Sequence, residues 1–275
     1  MGHVTVIPQG GLCNRLRVVL SALAVSRHGQ DVTVEWGSTR ECRAAFDQLF
    51  EPLTAPGAGA TFRIRDRRWW NAPQTRRNLH LPALLRRALY DLQLVNYRSP
   101  DADDFLSRAR ARNNIYVSTG YDIFPYAPSL ARRLRPVGAL QKEIDALTSH
   151  FDAHTVGVHI RRTDNTQSRS HSTDEAFIAA MRQCLTQDVA TRFFVATDDL
   201  SLLHVLKEKF PDRVMHQQLS DVRRDTTAGI RQAVVDLFCL ARTTRLLGSY
   251  WSSFTDMAAE IGGQPTRIIG APEKV

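Results

Sequence analysis

The sequence predicts an α/β protein with mostly parallel sheets, arranged as two Rossmann-like domains facing a cleft. Strand-like runs of β-branched and aromatic residues alternate with runs whose apolar residues recur at helical spacing, and this happens in each half of the chain. The chain has 275 residues, enough for one large domain or two small ones. We expect a boundary near residues 149–154, which gives domains of residues 1–150 and 151–275.

The first half opens with a strand, a glycine loop and a helix. Residues 4–8 read as a strand, and GGLCNRL leads into a helix with an apolar stripe that includes Leu16, Leu20 and Leu23. Two glycines between a strand and a helix let the backbone approach a ligand closely. The loop is neither GxGxxG nor a P-loop, so no nicotinamide fingerprint is indicated. The elements expected next are strand 31–36, helix 43–50, irregular segment 54–80, helix 81–94, strand 115–119 and helix 140–147.

The second half repeats the strand–helix unit more regularly. Its strands are predicted at residues 155–160, 192–197, 213–216, 245–248 and 266–269. Its helices are predicted at residues 174–185, 200–210, 228–241 and 255–261. Helices between consecutive strands are typical of parallel sheets, in which all strands end at the same edge.

Three of these strands end in polar clusters: HIRRTD, ATDD and GSYWSSF. In open α/β sheets ligands bind beyond the carboxyl ends of the strands, so the three clusters predict one site. Arg161 and Arg162 suit a phosphate group because the guanidinium is a planar, forked donor; exposed charge is the alternative interpretation. His159 lies inside its strand, and it is either a ligand contact or a hydrogen-bonded core histidine.

The adjacent carboxylates Asp198 and Asp199 leave several interpretations open. Neighbouring side chains of an extended segment point apart, which does not favour a shared metal ion. One of them can cap the next helix, or hydrogen-bond to a nucleotide or to the arginines. Ser252 and Ser253 are either helix N-caps or donors to a phosphate at a helix start.

Asp236 stands inside a predicted helix, in QAVVDLFCL. A carboxylate between valine and leucine either faces solvent or makes a specific contact. One such contact is the Watson–Crick edge of guanine, from which a carboxylate can accept two hydrogen bonds. The sequence alone leaves both interpretations open.

The net charge of the chain is +8, and arginine supplies nearly all of its positive charge. Arginine clusters at residues 63–68, 76–77, 86–87 and 132–135. These clusters are either solvated faces or contacts for an anionic partner.

The four cysteines have no CxxC spacing, which favours neither a disulfide framework nor a zinc site. They are Cys13, Cys42, Cys184 and Cys239. No signal peptide is visible at the start of the sequence, and the apolar run at residues 18–25 is too short to span a bilayer. We therefore expect a cytoplasmic protein.

Several motifs together resemble the fucosyltransferase superfamily, particularly the α1,6-fucosyltransferases and the bacterial nodulation enzymes among them. They are HIRRTD, FFVATDDLSLLHVLKEKFP and IRQAVVDLFCLARTTRLLGSYWSSFTDMAAEIGG. GGLCNRL resembles the GG-x-x-N-(Q/R) loop of α1,2- and protein O-fucosyltransferases, and VEWGSTRECRAAFDQLFE is less specifically similar. The match is dense over residues 155–263, patchy over 5–50 and absent over 54–135.

The resemblance implies a GT-B glycosyltransferase that takes fucose from GDP-fucose, inverts the anomeric carbon and needs neither metal nor cofactor. Residues 1–150 would form the acceptor side and residues 151–275 the donor side. Arg161 and Arg162 would stabilise the charge that develops on the departing diphosphate, with Asp164 beside them. The donor-site residues that the resemblance implies are Gly10, Gly11, Asn14, His159, Asp198, Asp199, Asp236, Ser252 and Ser253.

The sequence departs from that family at the position of the catalytic base. In the α1,6 enzymes a Lys follows the aspartate of HxRRTD, and a Glu five residues beyond that aspartate acts as base. Here Asn165 and Arg169 occupy these positions. Other groups that could serve are Asp174, Glu175, His171 and Glu35. An SN1-like path, in which the phosphate assists deprotonation of the acceptor, needs no side-chain base.

Alternative functions remain open at this point. One is a GT-B enzyme with a different nucleotide-sugar donor, acting on a secondary metabolite. Another is an arginine-rich nucleic-acid-binding protein, and a third is an inactive nucleotide-sugar-binding protein. The favoured interpretation predicts a nucleotide-sugar donor and a hydroxyl acceptor as partners, with no nucleic acid and no membrane segment. The Trp69–Trp70 pair would either stack on acceptor sugars or lie buried.

Overall fold

The computed structural model describes residues 2–55, 60–68, 83–99, 101–162, 166–218, 221 and 223–271, with only the backbone of residues 83 and 167. The chain divides into two compact units. Unit 1 comprises Met1–Val137 and Arg223–Arg231, and unit 2 comprises Gly138–Val222 and Gln232–Val275. Unit 1 therefore ends before the boundary expected from the sequence, and it includes a short segment from later in the chain.

Unit 1 is built on a five-stranded parallel sheet. In chain order its elements are β1 (His3–Pro8), α1 (Leu12–Ser26), β2 (Asp31–Trp36), a 3-10 turn (Phe46–Gln48), β3 (Phe62–Asp66), α2 (Ala83–Leu89), β4 (Leu92–Val95), α3 (Ala102–Ala109), β5 (Asn114–Thr119) and a 3-10 helix (Pro128–Arg133). The strand order is β3-β2-β1-β5-β4, and every pair is parallel. Helix α1 packs on β1 and β2, and its stripe of Leu16, Leu20 and Leu23 is fully buried.

Three sequence expectations for unit 1 were wrong. The helix expected over residues 43–50 is only a 3-10 turn, and the segment expected to be irregular contains β3. The helix expected over residues 81–94 ends at Leu89, after which the chain forms β4. Both missed strands lie at sheet edges, so each has one neighbour and buries a single residue, Phe62 or Leu94. An edge strand of this kind gives a weak hydrophobic pattern.

Unit 2 is built on a second five-stranded parallel sheet. Its elements are α4 (Gly138–Thr148), β6 (Thr155–Ile160), α5 (Thr166–His171), α6 (Asp174–Gln187), β7 (Arg192–Thr197), α7 (Leu200–Lys209), β8 (Val214–Met215), α8 (Thr227–Ala241, of which the residues up to Arg231 belong to unit 1), β9 (Arg245–Ser249), α9 (Ser253–Gly262) and β10 (Thr266–Ile269). The strand order is β10-β9-β6-β7-β8, again all parallel. Residues of β6, β7, α6 and α7 form its hydrophobic core.

Each sheet has one topological switch point, where the strand order reverses. In unit 1 the chain winds outward from β1 through β2 and β3, and then places β5 on the other side of β1. In unit 2 it winds outward from β6 through β7 and β8, and then places β9 on the other side of β6. Ligands of doubly wound sheets bind at such points, beyond the carboxyl ends of the strands. We therefore expect ligand-binding residues in the loops that follow β1, β5, β6 and β9.

Candidate active site

Arg161 stands at the switch point of the unit 2 sheet. It follows β6, all six residues of which are buried. Its backbone N–H donates to Ser249 Oγ on β9 at 2.9 Å, and its Nη1 lies 2.6 Å from Asp198 Oδ2. The side chain is 17% exposed. A cation is therefore held in a fixed position at the edge of the sheet while part of it stays accessible.

Asp198 links the ends of β6 and β7. Its Oδ1 accepts the backbone N–H of Arg162 at 2.8 Å, and its Oδ2 pairs with the guanidinium of Arg161. The side chain is 11% exposed. Because its two oxygens contact consecutive residues of one loop, Asp198 sets the direction in which the Arg161 side chain points.

Arg162 points to different partners from Arg161. Its Nε and Nη2 both donate to Asp174 Oδ1, at 2.8 and 2.6 Å, and its Nη1 donates to the backbone oxygen of Arg161 at 3.0 Å. The guanidinium lies over the ring of Phe177, 5.7 Å from its centroid. The side chain of Arg162 thus joins the loop after β6 to the first turn of α6.

The two adjacent carboxylates of ATDD, Asp198 and Asp199, have different hydrogen-bond partners. Asp199 is the N-cap of α7, and its Oδ1 accepts the backbone N–H groups of Ser201 and Leu202 at 2.9 and 3.1 Å. Helix capping therefore belongs to Asp199, whereas Asp198 contacts the arginine. Ser252 occupies the N-cap position of α9 without a side-chain hydrogen bond to that helix, and Ser253 is its first residue.

His159 is a buried histidine with a polar and an aromatic partner. Its Nδ1 lies 2.8 Å from Thr255 Oγ1, and its ring stacks on Phe254 with centroids 4.7 Å apart. Burial, together with the positive charge of Arg161, lowers the pKa of His159 to about 3. The imidazole is therefore neutral at physiological pH, and it acts there as a hydrogen-bonding group without charge.

Asp236 is a half-buried carboxyl whose Oδ1 is enclosed and has no hydrogen-bond partner. Burial raises the pKa of Asp236 to about 8, and a hydrogen bond from Gln217 acts in the opposite direction. Gln217 lies just beyond β8, and its Nε2 also donates to the backbone oxygen of Gln232 at 2.8 Å. The carboxyl therefore has one oxygen that is closed to solvent and receives no hydrogen bond.

The glycine loop of unit 1 is held by Arg15, a residue that the sequence reasoning missed. Gly10 has the left-handed φ of 82°, and a Cβ there would lie 2.9 Å from Asn14 Nδ2. Arg15 is fully buried, and its Nε donates to Gly10 O at 2.7 Å. Its Nη1 donates to Gly37 O, and its Nη2 donates to Thr39 Oγ1 at 2.5 Å. Arg15 stands among the apolar residues of LCNRLRVVL, and a charged residue in that position is the signal that could have revealed its structural role.

The base candidates are mostly engaged in intramolecular contacts. Glu35 is fully buried on β2 and pairs with Arg65 at 2.7 Å and with Arg68 at 3.0 Å. Asp174 is the partner of Arg162. Glu175, in the first turn of α6, has its pKa lowered by hydrogen bonds to its own backbone N–H and to Thr173.

His171, which ends α5, is exposed, and its ring lies 4.8 Å from that of Tyr250. Arg169, which replaces the family glutamate, is exposed on the same helix. Asp164 and the Trp69–Trp70 pair lie outside the described residues.

The structure brings together part of the predicted set. Within unit 2, Arg161, Arg162 and Asp198 form one connected group that also includes Ser249. Gly10, Gly11 and Asn14 belong to unit 1. Among the described residues, no group of three or more His, Cys, Asp or Glu is placed to hold a metal ion. Within the same ranges of the chain, every helix is too short or too polar to cross a bilayer.

The sequence matches a known family. Residues 127–264, just over half of the chain, match the family model described as alpha-(1,6)-fucosyltransferase N- and catalytic domains. The matched segment contains Arg161, Asp198 and Asp236.

Known crystal structures share the fold. The fucosyltransferase NodZ from Bradyrhizobium is similar at 20% identity over 94% of this chain and 91% of that chain, with a TM-score of 0.65. POFUT1 in complex with GDP is similar at 12% identity over 98% of each chain, with a TM-score of 0.61. These likenesses confirm the predicted GT-B-like α/β fold class.

The family match covers the loops after β6, β7 and β9, where the connected group around Arg161 lies. The chain therefore belongs to the family of alpha-(1,6)-fucosyltransferase N- and catalytic domains, within the fucosyltransferase superfamily, and it is a glycosyltransferase.

Proposed function

We propose that this enzyme transfers fucose from GDP-fucose to a hydroxyl acceptor, with inversion at the anomeric carbon and without a divalent metal ion. The observation that carries the proposal is the position of Arg161, which is anchored through Ser249 and Asp198 at the switch point of the unit 2 sheet. Both NodZ soaked with GDP-fucose and POFUT1 in complex with GDP-fucose are among the structures of similar fold.

Arg161 would act on the leaving group. The bond between the anomeric carbon and the β-phosphate oxygen breaks, GDP keeps the electron pair, and the acceptor oxygen bonds to the anomeric carbon. A guanidinium has five N–H groups, so one that is anchored through Nη1 can still donate others to a phosphate. Because its partners already fix its position, little reorganisation is needed as negative charge develops. Arg162, tied to Asp174, would mainly keep this loop in place.

Asp236 would recognise the guanine of the nucleotide through hydrogen bonds. The N1–H and N2–H groups of guanine can donate to a carboxylate, and Asp236 Oδ1 has no other partner. His159 would contribute a neutral ring near this end of the donor. Ser252 and Ser253, at the start of α9, would donate to a phosphate. The roles of Gly10, Gly11, Asn14, Asp164 and Asp199 at the donor stay predictions from the family resemblance.

The acceptor proton would pass to the departing phosphate. Asp174 and Glu35 are engaged by arginines, so neither is a good candidate for the base. Glu175 already accepts hydrogen bonds in the first turn of α6. On an SN1-like path the bond to GDP breaks first, the acceptor bonds to the opposite face of the anomeric carbon, and its proton passes through solvent water to the departing phosphate. This path explains how Arg169 can replace the family glutamate.

A calorimetric panel of GDP, UDP, ADP and their sugars tests the proposal. We expect GDP and GDP-fucose to bind, and UDP and ADP to bind weaker by about 100-fold or more because only guanine satisfies Asp236. Donor hydrolysis and transfer should be unchanged in EDTA, and the product should have the opposite anomeric configuration to the donor. Equal binding of UDP-sugars would refute the donor, and loss of turnover in EDTA would refute the metal-free mechanism.

The same preparation tests the alternative of nucleic-acid binding. A protein that binds oligonucleotides through its arginine clusters would show affinity that falls steeply with salt. We expect no such binding at physiological ionic strength. Tight, salt-dependent oligonucleotide binding without GDP binding would favour that alternative.

A further inference from the structure

The turn that follows β9 places an aromatic ring at the edge of the unit 2 sheet. Trp251 lies two residues beyond Ser249, whose Oγ accepts the backbone N–H of Arg161 at 2.9 Å and donates to the backbone oxygen of His159 at 3.2 Å. The side chain of Trp251 is 71% exposed. Since two residues span at most about 7 Å of chain, Trp251 belongs to the same end of the sheet as the arginine proposed to bind the diphosphate.

The backbone of Trp251 is in the left-handed region, with a φ of 53°. Within the described residues, the other non-glycine positions with positive φ are Asn96, Ala111 and Asp212, all with smaller side chains. A bulky residue in this region is unusual and costs conformational energy, which glycine would avoid. An exposed ring recovers little of that cost by burial. A tryptophan at this position therefore calls for a reason other than the stability of the fold.

The elements around the turn fix its position. The backbone N–H of Tyr250 donates to Ser172 Oγ at 2.8 Å, and Ser172 Oγ donates to the backbone oxygen of Ile269 at 2.6 Å. The centroid of the Tyr250 ring lies 4.8 Å from that of His171 and 6.2 Å from that of Trp251. Tyr250 is thus tied to the end of α5 and to β10, so the adjacent Trp251 is carried by a backbone that its neighbours hold in place.

The side chains of the turn follow the same order as the parts of a nucleotide sugar. Phe254 stacks on His159, at the end where the nucleoside is proposed to lie. Ser252 and Ser253, at the start of α9, are the proposed donors to a phosphate. Trp251 precedes these serines in the chain. In a nucleotide sugar the pyranose is attached to the diphosphate at the end opposite to the nucleoside, so it would lie next to Trp251.

We propose that the ring of Trp251 packs on the pyranose of the donor and thereby contributes to recognition of the sugar. An indole ring offers a large, flat, apolar surface, and a pyranose has faces made of C–H groups. Fucose suits such a surface particularly well because its C6 is a methyl group. The inference rests on the proposed function, in that the donor is a nucleotide sugar bound by unit 2. It goes beyond that function by naming a side chain that contacts the sugar and not the nucleotide.

Three substitutions of Trp251 separate the effect of its ring from that of its backbone. Trp251→Phe keeps an aromatic ring, Trp251→Ala removes it, and Trp251→Gly removes it and also relieves the left-handed backbone. Asp212→Gly is the matched control, because Asp212 is also exposed and left-handed, with a φ of 58°, and precedes β8 at the opposite end of the strands. Calorimetry measures the affinity of each protein for GDP and for GDP-fucose, and thermal unfolding measures its melting temperature.

We expect Trp251→Ala and Trp251→Gly to bind GDP-fucose about fivefold to tenfold more weakly than the wild type, and to bind GDP within about twofold of it. Trp251→Phe should lose about threefold or less for GDP-fucose, and Asp212→Gly should lose nothing. The melting temperature of Trp251→Gly should exceed that of Trp251→Ala by about 2–4 °C, because only glycine adopts this φ without strain. A ring with only a structural role would lower the melting temperature of all three variants and leave the preference for GDP-fucose over GDP unchanged.

Two results would overturn this role of Trp251. One is an affinity for GDP-fucose that is unchanged in both Trp251→Ala and Trp251→Gly. The other is an equal loss of affinity for GDP and for GDP-fucose, which would place the ring at the nucleotide. Failure of the wild type to bind GDP would refute the proposed donor separately. The variants are then titrated with UDP, ADP and their sugars, and an unchanged preference for the sugar nucleotide, or no binding of any pair, would overturn the role of Trp251.

Discussion

The two switch points of this enzyme have the same topology, but their charged side chains have different kinds of partner. In unit 2 the charged groups are paired with each other, since Arg161 contacts Asp198 and Arg162 contacts Asp174. In unit 1 the buried Arg15 holds the glycine loop by donating to Gly10 O, Gly37 O and Thr39 Oγ1. The first arrangement fixes a partly exposed cation before an anionic ligand arrives, whereas the second buries a cation to hold the backbone of the loop.

Removal of Arg161 should give the largest effect. We expect Arg161→Ala to lower kcat by about 100-fold to 1,000-fold, because a preorganised donor to the leaving group is lost. The far-ultraviolet circular dichroism and the melting temperature should stay close to those of the wild type. Arg267→Ala, which removes an exposed arginine of β10 that contacts Gln183 on α6, is the matched control and should keep full activity. Retained activity in Arg161→Ala would show that the anchored arginine of unit 2 does not act on the leaving group.

Removal of Arg15 should give the next largest effect, a loss of stability. Arg15→Met leaves Gly10 O and Gly37 O without their donors, so we expect the free energy of unfolding to fall by about 3 kcal/mol. Urea denaturation measures this difference. Arg27→Met, at the exposed end of the same helix, should change it by less than about 0.5 kcal/mol. Equal effects in the two variants would show that Arg15 does not support the loop.

Asp236 predicts a pH dependence of GDP binding. Its pKa of about 8 means that the folded protein without ligand holds the proton at neutral pH, whereas guanine recognition requires the carboxylate. GDP affinity should therefore rise by about tenfold per pH unit up to about pH 8, where the dependence should flatten. Calorimetry in two buffers of different ionisation enthalpy would detect the released proton. Asp236→Asn should bind GDP weakly at every pH, and a wild type with the same flat profile would contradict this role.

The same group makes stability depend on pH in the opposite sense. A carboxyl whose folded pKa lies above its unfolded value of about 3.9 stabilises the folded state fully below that value. This contribution is lost as the pH rises towards about 8. Asp236→Asn should therefore remove part of the decline in melting temperature between acidic and neutral pH.

The smallest effect is expected for Asp199. Asp199→Ala removes the cap of α7, and the free energy of unfolding should fall by about 1 kcal/mol. GDP affinity should stay within about twofold of the wild type if capping is its only role. Asp198→Ala should do the reverse, with weaker GDP binding because Arg161 loses its partner. Similar losses of GDP affinity in both variants would contradict the assignment of Asp199 to helix capping and of Asp198 to Arg161.

Much of unit 2 could be predicted from the sequence. Strands β6 and β7 were predicted to the residue because both are continuous apolar runs that end abruptly in charged residues. Edge strands such as β3 could not be predicted, since a strand with one neighbour needs few buried side chains. The short helix α5 was also missed, because TQSRSH has no apolar stripe.

The site was predicted as a set of residues, but not as a set of contacts. That Arg161 ends a buried strand could be read from HIRR. Which of two identical neighbours, Asp198 or Asp199, would contact it depends on the pairing of β6 with β7, and that pairing is a long-range property. The burial of Arg15 could not be predicted either, because its partners at Gly37 and Thr39 are distant in the sequence.

Calorimetric titration of guanosine and of GDP into the wild type and into Arg161→Ala is the most direct test of the central claim. Guanosine lacks the diphosphate, so it separates recognition of the base from recognition of the leaving group. We predict that Arg161→Ala loses about 10-fold to 100-fold in affinity for GDP and nothing for guanosine. An equal loss for both ligands, or no loss for GDP, would contradict the account that Arg161 binds the departing diphosphate.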